Sequence, residues 1–66
     1  MTTTKQYRFE ECMATNVAGH KCTIPAGIHS VARNSLSARV RVGGREIDVT
    51  VAEFMRLREE GRLTEA

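Results

Sequence analysis

The chain has 66 residues, of which 41% are hydrophobic, 27% charged and 5% aromatic, and its formal net charge is +2. This length predicts one small domain over residues 6–66, after a frayed or disordered N-terminal segment 1–5. The composition is too polar for a membrane span, and the charge is far from the strongly basic balance of domains that hold nucleic acid mainly through phosphates.

The first half of the chain has the pattern of short strands. Over residues 6–13 aromatic and polar side chains alternate, as in a half-buried strand, and the alternation breaks near Glu11, where we predict a bulge or a strand end. Further strands are predicted over 21–24 and 28–33, with a turn or a sharp bend at Pro25 between them. The pattern does not specify how these strands pair.

The strongest local pattern is a hairpin that turns at Gly43-Gly44. With these glycines as a two-residue turn, aliphatic side chains face each other on one side of the ribbon, and arginines face carboxylates on the other. The predicted pairs are Val40 with Ile47, Ala38 with Val49, Arg41 with Glu46 and Arg39 with Asp48. A shift of one residue would mismatch every pair, so the turn and the pattern predict the same register.

A helix is predicted over residues 51–60. The Thr50 hydroxyl can accept a hydrogen bond from the Glu53 amide while the Glu53 carboxylate reaches back, which is the capping-box arrangement. Gly61 follows, at the position where a left-handed residue ends a helix. A helix of this length is not stable alone in water, so it must pack on the sheet or on a partner subunit.

The apolar side of this helix holds the candidate residues for a protein interface. One charged residue, Arg58, lies within this apolar arc. Its side chain either extends over the edge of the core to solvent or forms an ion pair across an interface. The candidates are Val51, Phe54, Met55 and Arg58.

These elements predict an α+β, mostly β fold. We expect four to five short antiparallel strands, in a small sheet or an SH3-like half-barrel, with one C-terminal helix.

Four residues could suggest a metal centre or a catalytic centre: Cys12, His20, Cys22 and His29. Their intervals match none of the short ligand pairs of structural zinc sites, and a domain this small rarely forms the pocket that nucleophilic catalysis needs. The two glycines of the hairpin turn lie between strands, unlike a phosphate-binding loop. We therefore predict no enzyme activity, no catalytic residues, no metal and no cofactor.

The N-terminal residues contain no apolar export segment. This predicts a cytoplasmic protein with reduced cysteines and no membrane partner.

The leading functional hypothesis is a non-enzymatic binding or adaptor protein that acts through protein–protein contacts as a homodimer. Without its seven alanines, its two cysteines and Met1, the chain has 17 large apolar side chains, a thin core that a partner would extend. A second hypothesis is a small nucleic-acid-binding regulator, with Tyr7 or Phe9 as a stacking surface. Its candidate residues are Arg33, Arg39, Arg41 and Arg45. A third, from size alone, is a phage- or host-type accessory inhibitor of a larger complex.

The last third of the chain, Glu46-Ile47-Asp48-Val49 followed by a helix, resembles the small carbon-storage-regulator family of RNA-binding dimers. That family has a basic first strand and an RNA-contacting arginine just after its last strand. In this chain Met1-Thr2-Thr3-Thr4-Lys5 and Val51 stand at those places. The resemblance therefore implies no RNA-binding activity here.

Overall fold

The computed structural model describes residues 2–66, which form seven strands and one helix. The elements are β1 (Thr3–Phe9), β2 (Cys12–Thr15), β3 (Lys21–Ile24), β4 (Gly27–Arg33), β5 (Ser37–Val42), β6 (Arg45–Thr50), α1 (Val51–Glu59) and β7 (Leu63–Glu65). A five-stranded antiparallel sheet has the order β6-β5-β4-β1-β7, and β2 pairs with β3 in a two-stranded sheet. The predicted class, a mostly β α+β fold with one helix, is confirmed.

Strands β1 and β2, with β4 and β3, form one long hairpin that is interrupted in the middle. Phe9 lies opposite Gly27 on one side of the interruption, and Cys12 lies opposite Ile24 on the other. Each strand therefore has the same number of residues in the gap, and no extra residue is inserted on either side. Of the two predictions for Glu11, the strand end is confirmed and a bulge is not formed.

At this interruption, the face of each strand that points into the core changes from one side of the strand to the other. In the first strand the buried positions change from odd to even numbers, from Tyr7 and Phe9 to Cys12 and Ala14. On the other strand Pro25 lies in the gap, as suits a residue with no N–H to donate. The predicted sharp bend at this proline is confirmed, and it lets one hairpin contribute to both sheets.

The predicted hairpin of β5 and β6 is confirmed in every pair. Val40 lies opposite Ile47, Ala38 opposite Val49, Arg41 opposite Glu46 and Arg39 opposite Asp48. All four aliphatic side chains are buried. Gly43 adopts a φ of 60°, the left-handed conformation that a tight two-residue turn requires.

The end of β2 closes the structure by pairing with β6. Asn16 forms an isolated antiparallel bridge with Val49, and the Val17 amide donates to the Asp48 carbonyl at 2.9 Å. The strands consequently curl around one core, with α1 packed across its concave side.

The helix begins as predicted, since Thr50 Oγ1 accepts a hydrogen bond from the Glu53 amide at 3.1 Å. The other half of the predicted capping box is wrong. Glu53 Oε2 accepts from the Thr15 amide at 2.7 Å, and its Oε1 accepts from Arg56 Nε at 2.7 Å. Glu53 thereby connects the helix to the end of β2 instead of capping its own backbone.

The chain reverses after the helix and adds a strand that the sequence pattern did not indicate. Glu60 is the C-cap and Gly61 follows with a φ of 76°, as predicted for this glycine. Strand β7 then pairs with β1, with Glu65 opposite Tyr7. A three-residue strand is too short for its alternation to stand out from the neighbouring sequence.

The N-terminal segment also contributes to the sheet. β1 begins at Thr3, inside the segment 1–5 that the sequence predicts to be frayed, and Thr3 and Lys5 lie opposite Arg33 and Val31. Met1, the first residue of that segment, lies outside the described residues. The exposed polar side chains of this segment do not reveal a partner strand that lies far along the chain.

The two hydrogen bonds of the Glu53 carboxylate should contribute to the stability of the fold, and this contribution should depend on pH. The hydrogen bonds from Arg56 and from the Thr15 amide lower the pKa of Glu53 from 4.5 to about 2. A carboxyl group with a lowered pKa stabilises the fold above its ordinary pKa, and this contribution is lost as the pH falls through the lowered value. We expect Glu53→Gln to reduce the free energy of unfolding near neutral pH by about 1–2 kcal/mol.

Urea denaturation of the wild type and of Glu53→Gln, repeated from neutral to acidic pH, measures this effect. The difference between them should shrink as the pH falls from 4.5 to about 2. Glu59→Gln is the matched control, because Glu59 lies on the same helix and forms no ion pair within residues 2–66. Equal pH profiles for Glu53→Gln and Glu59→Gln would contradict the assignment.

Candidate functional site

A concave pocket of about 380 Å³ lies between α1 and the strands β1, β4 and β7. Its uncharged lining is formed by Thr3, Tyr7, Val31 and Asn34. Its charged lining is formed by Lys5, Arg33, Arg58 and Glu65. We call this site the basic pocket, because three cationic side chains share it with one carboxylate.

Arg33 is held at the basic pocket by the core. Its guanidinium carbon lies 5.6 Å from the centre of the Phe54 ring, within the range of a cation–π contact. The Phe54 ring in turn meets Tyr7 edge-on, at a centroid distance of 5.4 Å and an interplanar angle of 84°. The position of this charged group is therefore set by buried aromatic packing.

The three cations of the basic pocket are not equally engaged. Lys5 Nζ lies 3.3 Å from Glu65 Oε1, and both side chains are about half exposed, at 53% and 54%. Within residues 2–66, Arg33 and Arg58 form no ion pair. Two guanidinium groups in one concavity are therefore open to an anionic group from outside.

The four interface candidates of the helix occupy different environments. Phe54 is fully buried, so in this fold it belongs to the core and cannot contact a partner. Val51 and Met55 are half-buried, and Arg58 is exposed. The Arg58 side chain lies at the edge of the core and lines the basic pocket, and its pairing across an interface stays a prediction.

The four nucleic-acid candidates do not meet on one surface. Arg39 and Arg41 lie on the outer face of β5, where Arg39 Nε donates to Asp48 at 2.8 Å and Arg41 Nη2 donates to Glu46 at 3.0 Å. The hydrogen bond with Asp48 raises the pKa of Arg39. Arg33 lies opposite the buried Ala38 and is therefore on the inner face. Arg45 is exposed beside the hairpin turn.

The aromatic side chains are not available to stack on a base. Tyr7 is 6% exposed, and Phe9 and Phe54 are more deeply buried. The expectation that Tyr7 or Phe9 offers a stacking surface is therefore wrong, because both residues are needed to fill the core.

Cys12 is buried, and Cys22 and His29 each contact a nearby residue of the chain. Burial raises the pKa of the Cys12 thiol, which disfavours the reactive thiolate. Cys22 is half-buried and free, and its sulfur accepts from Asn16 Nδ2 at 3.5 Å. A ring nitrogen of His29 lies 2.8 Å from the Pro25 carbonyl oxygen. In the described chain no three His, Cys, Asp or Glu residues lie close enough together to hold a metal ion.

Comparisons with known proteins add no assignment to these observations. No protein-family model matches the chain, and searches of the curated proteins and of the solved structures found no match. Over residues 2–66, no helix has both the length and the apolar character needed to cross a membrane.

Lys5 and Glu65 line the basic pocket but are not among the site residues predicted from the sequence. A signal for Lys5 was present, because Thr3 and Lys5 continue the odd-numbered alternation of Tyr7 and Phe9 and so belong to the same strand face. No such signal exists for Glu65, whose position depends on the pairing of β7 with β1.

Substitutions on the helix distinguish a core residue from an interface residue. We expect Phe54→Ala to lower the free energy of unfolding by about 3–5 kcal/mol, a large part of the total stability of a small domain. Met55→Ala should cost much less, because its side chain is only half-buried. Urea denaturation followed by circular dichroism measures both variants. A Phe54→Ala variant of near-native stability would show that this ring is not part of the core.

Proposed function

We propose that the chain is a small non-enzymatic binding protein that acts through protein–protein contacts, with the basic pocket as its contact surface. The observation that carries this proposal is the convergence of Arg33 and Arg58, which form no ion pair within residues 2–66, on one concavity with Lys5. Cations in a concave site with low-dielectric walls attract acidic groups and orient an approaching partner.

Three features support a protein partner over a nucleic acid. Arg39 and Arg41, which the nucleic-acid hypothesis requires, are paired with Asp48 and Glu46. The aromatic rings that would stack on bases are buried. A nucleic-acid strand also presents regularly spaced phosphates along an extended track, whereas the basic pocket is one compact site.

The proposal extends to the mode of action of the protein and to its location in the cell. An accessory inhibitor of a larger complex would use the same kind of contact to block its partner sterically. The cytoplasm is the location we propose, where Cys12 and Cys22 stay as free thiols.

Two double variants, one in the basic pocket and one on the outer face of the sheet, test the proposed contact surface. The chain is immobilised, and proteins bound from a lysate of its source cells are quantified by mass spectrometry. We expect Arg33→Gln/Arg58→Gln to lose the proteins that the wild type binds, because it removes both unpaired guanidinium groups of the basic pocket. Arg39→Gln/Arg41→Gln removes the same charge from the outer face and should retain them.

Equal loss in both double variants would show that net charge, and not the basic pocket, controls binding. A mixed pool of single-stranded RNA and DNA is tested in parallel at about 50 mM salt. Retention of this pool by the wild type, with loss in Arg33→Gln/Arg58→Gln, would favour the nucleic-acid regulator instead.

The predicted homodimer is tested by measuring the oligomeric state of the protein in solution. Because Phe54 is part of the core, only the half-buried Val51 and Met55 of the apolar helix candidates can contribute to a dimer contact. Sedimentation velocity at micromolar concentration should show a dimer that weakens in Met55→Glu. A stable monomer over this range would remove the homodimer and leave the basic pocket to be judged by the capture experiment.

A further inference from the structure

The basic pocket already contains one carboxylate, which belongs to the chain itself. Glu65 lines the pocket and its Oε1 lies 3.3 Å from Lys5 Nζ. A carboxylate can therefore lie beside the lysine at this pocket. Arg33 and Arg58 line the same cavity and lack such a partner among residues 2–66.

We propose that the basic pocket takes the carboxylates of an acidic protein segment, and that Glu65 is a built-in competitor for this ligand. In the free protein Glu65 pairs with Lys5. When the acidic segment binds, one of its carboxylates replaces Glu65 at Lys5 while another reaches the two guanidinium groups. This inference rests on the proposed function, because it names the chemistry of the partner at the same pocket.

The chemistry of the lining suits carboxylates. A guanidinium group presents donors in a planar fork that matches the two oxygens of a carboxylate. The cavity of about 380 Å³ lies at the lower end of the range of ligand pockets, so it can take one or two side chains of an extended segment. Tyr7 and Val31 also line the pocket but are nearly fully buried, so the proposed contacts with the ligand are made by the charged side chains.

The position of Glu65 makes its displacement easy. Its side chain is about half exposed, and so is that of Lys5, and exposed ion pairs of this kind are weak and screened by salt. Glu65 also lies on β7, a three-residue strand at the edge of the sheet that pairs only with β1 among the described strands. The ion pair can therefore open without disturbing the buried residues.

Fluorescence anisotropy with a labelled glutamate-rich peptide tests the proposal, with the corresponding glutamine-rich peptide as the uncharged control. We expect the wild type to bind only the glutamate-rich peptide. Arg33→Gln and Arg58→Gln should each weaken this binding by about tenfold, the effect of losing one charge-assisted contact.

The variant Glu65→Gln should bind the glutamate-rich peptide about 2–5-fold more tightly than the wild type, because the competing carboxylate is gone. Glu59→Gln is the matched control: it removes the same charge from a helix residue that does not line the pocket, and it should change the affinity much less. In a Lys5→Gln background, Glu65→Gln should no longer increase the affinity for the peptide. Glu65 competes with the peptide for Lys5, so without this lysine there is nothing to compete for.

Thermal unfolding of each variant confirms that it is folded, and Glu65→Thr serves as a second variant that suits an edge strand. Equal affinities for the wild type, Glu65→Gln and Glu65→Thr would overturn the role of Glu65 as a competitor. Absence of peptide binding by the wild type would overturn the acidic segment as ligand, while the capture experiment still decides whether the pocket binds proteins. Tighter, pocket-dependent binding of a single-stranded RNA of equal charge would overturn both.

Discussion

The packing of Phe54 against the concave side of the sheet is the contact on which both the helix and the basic pocket depend. A nine-residue helix is not stable alone in water, so α1 exists only because Phe54 and Leu57 are buried beneath the strands. The same ring lies under the Arg33 guanidinium and against Tyr7. A hydrophobic contact of the core thereby determines where a charged residue of the candidate site is located.

The interruption in the long hairpin explains how so short a chain surrounds a core. Because both strands change their buried face at the same point, residues on either side of it contribute to one hydrophobic cluster from two directions. The end of this hairpin then returns to β6 through Asn16 and to the helix through the hydrogen bond of Thr15 with Glu53. The shared hydrophobic cluster, backbone pairing and the Glu53 carboxylate together hold the two sheets and the helix.

The sequence predicted those parts in which several local signals agree. In the β5–β6 hairpin the turn glycines, the aliphatic alternation and the charge pairs all specify one register, and that register is observed. Glu53 was misassigned because its real partner, the Thr15 amide, lies far away in the chain and competes with the local cap. Arg33 and Arg58 were each singled out for a different hypothesis, and only the path of the helix across the sheet brings them to one pocket.

The placement of the ion pairs makes the two faces of the fold electrostatically different. On the outer face Arg39 and Arg41 are neutralised by carboxylates directly across the ribbon, and on the helix Arg56 contacts both Glu53 and Glu60. Exposed pairs such as those of the outer face add little stability, so their main consequence is electrostatic. On this outer face, solvent and the paired carboxylates screen both arginines. Arg33 and Arg58 form no ion pair within residues 2–66 and line one concave pocket, where their fields add, and this is the electrostatic basis on which we propose an acidic partner.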